Sequence, residues 1–140
     1  MISQVKNFLY TALVPPVIAL VDDLMFLSRI REAARGAALD VKAVRKAQDV
    51  LDGARAGACL LLLDLDSARL HWAETVALVR ADPALTTLPI VGFLSHVNAD
   101  AAREARAVGC THVLARSAFV HELPQILAAA ARADTATEIR

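Results

Sequence analysis

The sequence carries no surplus of either charge: fifteen Lys and Arg balance fifteen Asp and Glu among 140 residues. Proteins that gather nucleic-acid phosphates or anionic lipid surfaces need a basic excess, so neither nucleic acid nor membrane is an expected partner. Cysteine is scarce. Cys59 and Cys110 are the two present, far apart among small or apolar neighbours and in no metal-like or redox-like spacing, so reduced thiols are expected. No long apolar run occurs either. The stretch from Phe8 to Val21 is broken by Pro15 and Pro16 and stopped by Asp22 and Asp23, too short for a span and too weakly basic ahead for a signal peptide. A soluble, cytoplasmic chain of one domain is expected.

Several kinds of chemistry are missing as well. The five glycines, Gly36, Gly53, Gly57, Gly92 and Gly109, are scattered and build no phosphate-cradling loop. His71, His96, His112 and His121 show no H-x-x-x-H or H-E-x-x-H spacing, so they are expected as surface or core residues, with His96 alone placed near the acids described below. Ser95 has no G-x-S-x-G elbow around it.

What is present is an alternation of short apolar runs with helical periodicity. VIALV (17–21), the more polar DVKAVR (40–45), Cys59 to Leu63, PIVGFL (89–94) and THVLA (111–115) read as five strands, with DVKAVR at an edge. Helices are expected over Leu24–Arg35 with Phe26, Leu27, Ile30 and Ala34 inward, over Ala47–Ala56, over Leu70–Ala81, from a cap at Asn98 or Asp100 to Gly109, and over Phe119–Arg132. Repeated βα units imply a parallel sheet with helices on both faces. Residues 1–16 read as an N-terminal extension with helical character, 17–133 as the domain and 134–140 as a solvated tail.

The third strand leads into LLLLDLDSARLHW, where Asp64 follows four leucines and Asp66 comes two positions later. Strand carboxyl ends share one edge of an open parallel sheet, so Asp22 and Asp23 after the first strand meet Asp64 if those strands are neighbours. Three crowded carboxylates repel unless a hard cation or protons relieve them, and the set asks for Mg²⁺. Asp22 and Asp23 also suit a helix N-cap, which is compatible with a metal role.

LVDDLMFLSRI, LLLLDLDS, LPIVGFLSH and GCTHVLARS, in this order, resemble the successive signature segments of response-regulator receiver domains from about Val17 to Ala130. The resemblance implies a flavodoxin-like, doubly wound α/β fold with a five-stranded parallel sheet in order 2-1-3-4-5. It implies that Asp64 is the phosphoacceptor, that Asp22, Asp23 and Asp64 hold Mg²⁺ with the backbone carbonyl of Asp66, and that Arg116 pairs with the phosphate where the family has lysine. It further implies a sensor histidine kinase or phosphotransfer protein upstream and, as output, an effector or a second copy of the chain, met through the face of the fourth and fifth helices and last strand.

The departures from the pattern are specific. Leu94 stands where the family carries a switch Thr or Ser, with Ser95 one position late as the candidate hydroxyl. Val113 replaces an aromatic, Ser117 a proline, and Ser67-Ala68 and His71-Trp72 the Met-Pro and Asp-Gly of the loop after the phosphoacceptor. Arg for Lys at a tight phosphate site is not conservative. A stand-alone, non-enzymatic signalling module of a phosphorelay is the expected function; the alternatives are an unphosphorylated pseudo-receiver and a small Mg²⁺-dependent aspartyl phosphohydrolase. LLLLDLDS also resembles the D-x-D motif of haloacid-dehalogenase-type phosphatases, but there the acidic pair follows the motif, whereas here it precedes it.

Overall fold

The computed structural model of the protein describes residues 15–95 and 98–139. Five strands, β1 (Pro16–Leu20), β2 (Asp40–Val44), β3 (Leu60–Asp64), β4 (Ile90–Leu94) and β5 (His112–Ala115), alternate with five α-helices: α1 (Leu24–Gly36), α2 (Ala47–Arg55), α3 (Trp72–Ala81), α4 (Ala99–Val108) and α5 (Arg116–Ile139). All strand pairs are parallel, and the order is β2-β1-β3-β4-β5. The fold is therefore the expected doubly wound α/β sheet.

Strand alternation explains the two-sided core. Val17, Ala19, Leu60, Leu62, Val91 and Phe93 face one way, against Phe26, Leu27, Ile30 and Ala34 of α1 and Phe119, Leu123, Leu127 and Ala130 of α5. Ile18, Leu20, Leu61, Leu63 and Ile90 face the other, against Val50, Leu51 and Ala54 of α2, Trp72, Val76 and Val79 of α3 and Ala105 of α4. The central strands β3 and β4 are buried at every position, which is why they read as unbroken apolar runs rather than alternating ones. Each fully buried Leu or Ile contributes roughly 1.5–3 kcal/mol. The edge strands β2 and β5 are more open.

Some boundaries differ from the sequence reading. The helix expected from Leu70 is split: a 3₁₀ turn, Ala68–Leu70, leads to His71 in the left-handed region (φ 49°), and α3 starts only at Trp72. The cap of α4 is Asn98, whose side chain accepts from the N–H groups of Asp100 and Ala101. The left-handed residue after α1 is Ala38 (φ 57°), two positions beyond Gly36. The last helix begins at Arg116 instead of Phe119 and continues through Pro124 to Ile139, so the backbone marks no boundary at 133/134. A proline inside a helix costs about 3 kcal/mol; the buried row Phe119, Leu123, Leu127, Ala130 holds α5 on the sheet across it. Residues 1–14, on which the N-terminal helix was expected, and His96 lie outside the described residues.

One staple holds the amino-terminal side of the β4–β5 region. Arg80 near the end of α3 donates from Nε to the carbonyl of Gly109, from Nη1 to those of Leu85 and Thr86, and from Nη2 to Thr111 Oγ1; burial lowers its pKa. Gly109, at φ 126°, closes α4 directly over this side chain, and an added Cβ would lie 2.5 Å from Arg80 Cγ. Gly109→Ala is expected to combine backbone strain with that clash and to destabilise the fold by about 1–3 kcal/mol, seen as a lower urea midpoint at unchanged m value.

Candidate functional site

The carboxyl edge of the sheet collects the acids because β1 and β3 are neighbours, and order 2-1-3 places the topological switch point between them. Asp64 is the last residue of β3 and is 3% exposed. The run Leu60–Leu63 that precedes it fixes its depth: four fully enclosed leucines carry the strand, and Asp64 is paired across to Phe93 of β4 while still inside the sheet. Asp22 and Asp23 leave β1 at the same edge, Ser95 follows β4, and Arg116 follows β5 and opens α5.

The two members of the acidic pair do different work. Asp23 is the N-cap of α1: its Oδ1 accepts from the N–H of Met25 at 3.0 Å and of Phe26 at 3.1 Å. These bonds, that to Phe26 foremost, together with Arg116 hold its carboxyl below the ordinary range despite some burial. Asp22 turns toward the loop after β3, where Ser67 Oγ donates to it at 3.4 Å, Arg69 pairs with it and Arg45 lies 3.5 Å away. Both arginines are largely exposed.

Arg116 occupies the centre. Its Nη1 lies 3.4 Å from Asp23 Oδ2, its Nη2 3.4 Å from both oxygens of Asp64, and its Nε 3.3 Å from Asp66 Oδ2. These are long for charge-assisted hydrogen bonds, which usually fall near 2.7–2.9 Å, as expected of one cation shared by three acids. The guanidinium also lies over two rings, 4.6 Å from the centroid of Phe26 and 5.4 Å from that of Phe93. Those rings and Phe119 form a packed trio with centroids 4.6–5.7 Å apart. A planar cation on aromatic faces gains roughly 0.5–2 kcal/mol, and lysine would lose the stacking. The aromatic bed is a part of the site that the motifs did not show, although Phe26 and Phe119 each lie three residues past a site residue, at helical spacing.

Asp66 enters through its carboxylate. Its Oδ2 accepts from the backbone N–H of Ser95 at 2.8 Å and from Arg116, while its own N–H donates to Asp64 Oδ1 at 3.0 Å. Ser95 thus joins the site by its main chain, and Leu94, where a switch hydroxyl was sought, is buried. Val113 is half-buried on β5, beside Gly92.

Among the described residues, no three Asp, Glu, His or Cys groups are placed to hold a metal ion. The reason lies in the donors: Asp22 faces two arginines, Asp23 spends one oxygen on a helix cap, and Asp64 and Asp66 share Arg116. In this arrangement four carboxylates face three guanidiniums, and a cation entering among them would compete with the arginines for the same oxygens. An open space of about 300 Å³ remains between Asp22, Asp23, Asp64, Asp66, Ser67 and Arg69.

Burial raises the pKa of Asp64 above the ordinary 3.8, against the opposing effects of the Asp66 N–H and Arg116. A raised folded value means that this carboxyl supports the fold most below the ordinary pKa and that its contribution is lost as pH rises through the folded value. Asp64→Asn removes the ionisation while keeping the shape, and Arg116 retains Asp23 and Asp66. The variant is expected to be more stable than wild type at pH 7 and to lose that advantage toward pH 4, as measured by urea unfolding across pH.

No protein-family model matches the chain, and no curated protein does. Solved structures do. A response regulator from Hahella chejuensis superposes with a TM-score of 0.72 at 20% identity, covering 83% of this chain and 94% of its own. The phosphorylated cyanobacterial phytochrome response regulator RcpA matches with a TM-score of 0.66 at 22% identity, over 83% and 90% of the two chains. The Mn²⁺-bound form of response regulator Rcp1 matches with a TM-score of 0.63 at 15% identity, over 82% and 90%. At these identities the likeness speaks for architecture, and the chain has the fold of response-regulator receiver domains.

Proposed function

We propose that the protein is a receiver-like signalling module whose phosphoacceptor is Asp64. The observation that carries this reading is a buried carboxylate at the end of β3, at the switch point of the sheet, with a cation against both of its oxygens. In the reaction a carboxylate oxygen of Asp64 attacks the phosphorus of a phosphohistidine or acyl phosphate. The bond from phosphorus to the donor atom breaks, that atom leaves with its electron pair, and an aspartyl phosphate forms. Arg116 would meet the added charge. The upstream donor is then a sensor histidine kinase or phosphotransfer protein.

Output passes through contact rather than turnover, to an effector or a second copy of the chain. The face of α4, β5 and α5 suits that role because β5 is an open edge strand and Ala99, Ala101, Ala102 and Ala107 of α4 leave room for close approach. A cytoplasmic setting agrees with the buried, free thiol of Cys110; among the described residues no helix is long and apolar enough to cross a membrane.

Mg²⁺ would supply charge neutralisation for the incoming phosphoryl group when bound, and Asp22, Asp23 and Asp64 with the backbone carbonyl of Asp66 would hold it. The arginines compete for the same oxygens, so the affinity is weak. Arg69→Ala frees Asp22 of one exposed partner worth roughly 0.5–1 kcal/mol. It is expected to tighten Mg²⁺ or Mn²⁺ binding about two- to fivefold in a calorimetric titration at low salt.

Treatment with acetyl phosphate and Mg²⁺ tests the main reading. Intact-mass spectrometry should show one added phosphoryl group, absent from Asp64→Asn. No adduct under any donor would leave a pseudo-receiver, and continuous hydrolysis of an aryl phosphate would indicate an enzyme instead.

A further inference from the structure

Asp66 lies past the end of β3, yet its carboxylate folds back into the site. The bend is local: Asp64 Oδ1 accepts the N–H of Asp66 at 3.0 Å, the side-chain-to-backbone turn that aspartate makes two residues on. With the chain turned this way, Asp66 Oδ2 takes the Ser95 N–H at 2.8 Å and Arg116 Nε at 3.3 Å. Arg116 therefore holds Asp64 with one nitrogen and Asp66 with another. An anion added to Asp64 would meet different neighbours on its two sides. Asp23 and Asp22 bring negative charge on the β1 side, and Leu94 brings a buried aliphatic chain. On the β4–β5 side, among the described residues, the Arg116 guanidinium and the Ser95 N–H are donors beside Asp64, and Asp66 already engages both.

We propose that Asp66 is a built-in anion: its carboxylate fills the donors that a phosphoryl group on Asp64 would claim, and so holds Arg116 and the β4 end in one arrangement whether or not Asp64 is modified. This rests on the reading of Asp64 as phosphoacceptor. Asp66 acts as a positioning residue, through Ser95 and Arg116. A ligand shifts an equilibrium only by contacting its states unequally, and when the same donors are satisfied before and after modification, little free energy remains to move β4, α4 or β5. The side chain of Asp66 is about one-third exposed, so its replacement leaves the core intact.

The test compares backbone amide spectra of wild type, Asp66→Ala and Asp66→Asn, first free and then with Mg²⁺ and beryllofluoride, with Asp64→Asn as the control that cannot carry the analogue. In the free proteins the Ser95 amide should move upfield in Asp66→Ala and exchange with solvent about tenfold faster, as one lost hydrogen bond implies. On adding beryllofluoride, wild-type shifts should stay near Asp64 and Leu65, whereas both Asp66 variants should show new shifts at Ser95 and in β5. A wild-type Ser95 amide that moves as far as the variants', or a Ser95 amide indifferent to loss of Asp66, overturns the proposal. If no protein responds to beryllofluoride and none accepts phosphate, the phosphoacceptor reading fails, while the free-protein comparison still decides whether Asp66 holds Ser95.

Discussion

A carboxylate at the end of a strand buried along its whole length needs a cation brought to it, and the geometry around Arg116 follows from that need. Asp64 cannot retreat to water without pulling Leu60–Leu63 out of the sheet. Its solvation must come from the protein. Arg116 is delivered by the β5–α5 junction, is only partly exposed and reaches Asp23, Asp64 and Asp66 at once. Because α5 starts at Arg116 itself, the guanidinium's position is set by the helix that packs Phe119 into the core.

The packing beneath the cation has its own logic. Phe26, Phe93 and Phe119 come from α1, β4 and α5, and their rings close the top of one core layer just where the acids begin. A flexible lysine could reach the same oxygens. A planar guanidinium is held by stacking as well as by charge, which makes it a less mobile partner. On the opposite side Asp22 is left to Arg45 and Arg69, whose exposed pairs are weak and screened by salt. The site thus has a fixed half toward β4 and β5 and a loose half toward β2 and the loop after β3.

Helix faces and the parallel βα sheet were legible because they follow from period, whereas the strand order, and with it the meeting of Asp22, Asp23 and Asp64 at one edge, rested on the resemblance to receiver domains. Asp64 ends a run whose apolarity admits only a central strand, and Phe26, Leu27, Ile30 and Ala34 are inward as their spacing requires. What escaped the sequence depends on side-chain direction or on residues joined only by tertiary structure. The three phenylalanines are far apart in the chain. Asp66 was expected to contribute its carbonyl, and the turn that swings its carboxylate toward Ser95 is visible only once Asp64's own hydrogen bond is known. The left-handed backbone at His71, a residue with no glycine-like freedom, broke a helix that propensity would have carried through.

The same turn at His71 sets the surroundings of the chain's single tryptophan. Trp72 is the first residue of α3, 8% exposed, and packs among Leu65, Leu70 and Val76 at the far end of the segment that starts at Asp64. No second indole competes with it. The protein's intrinsic fluorescence is therefore a local signal: its emission reports the packing of the loop after β3, and is largely blind to the phenylalanine-lined layer on the other face of the sheet.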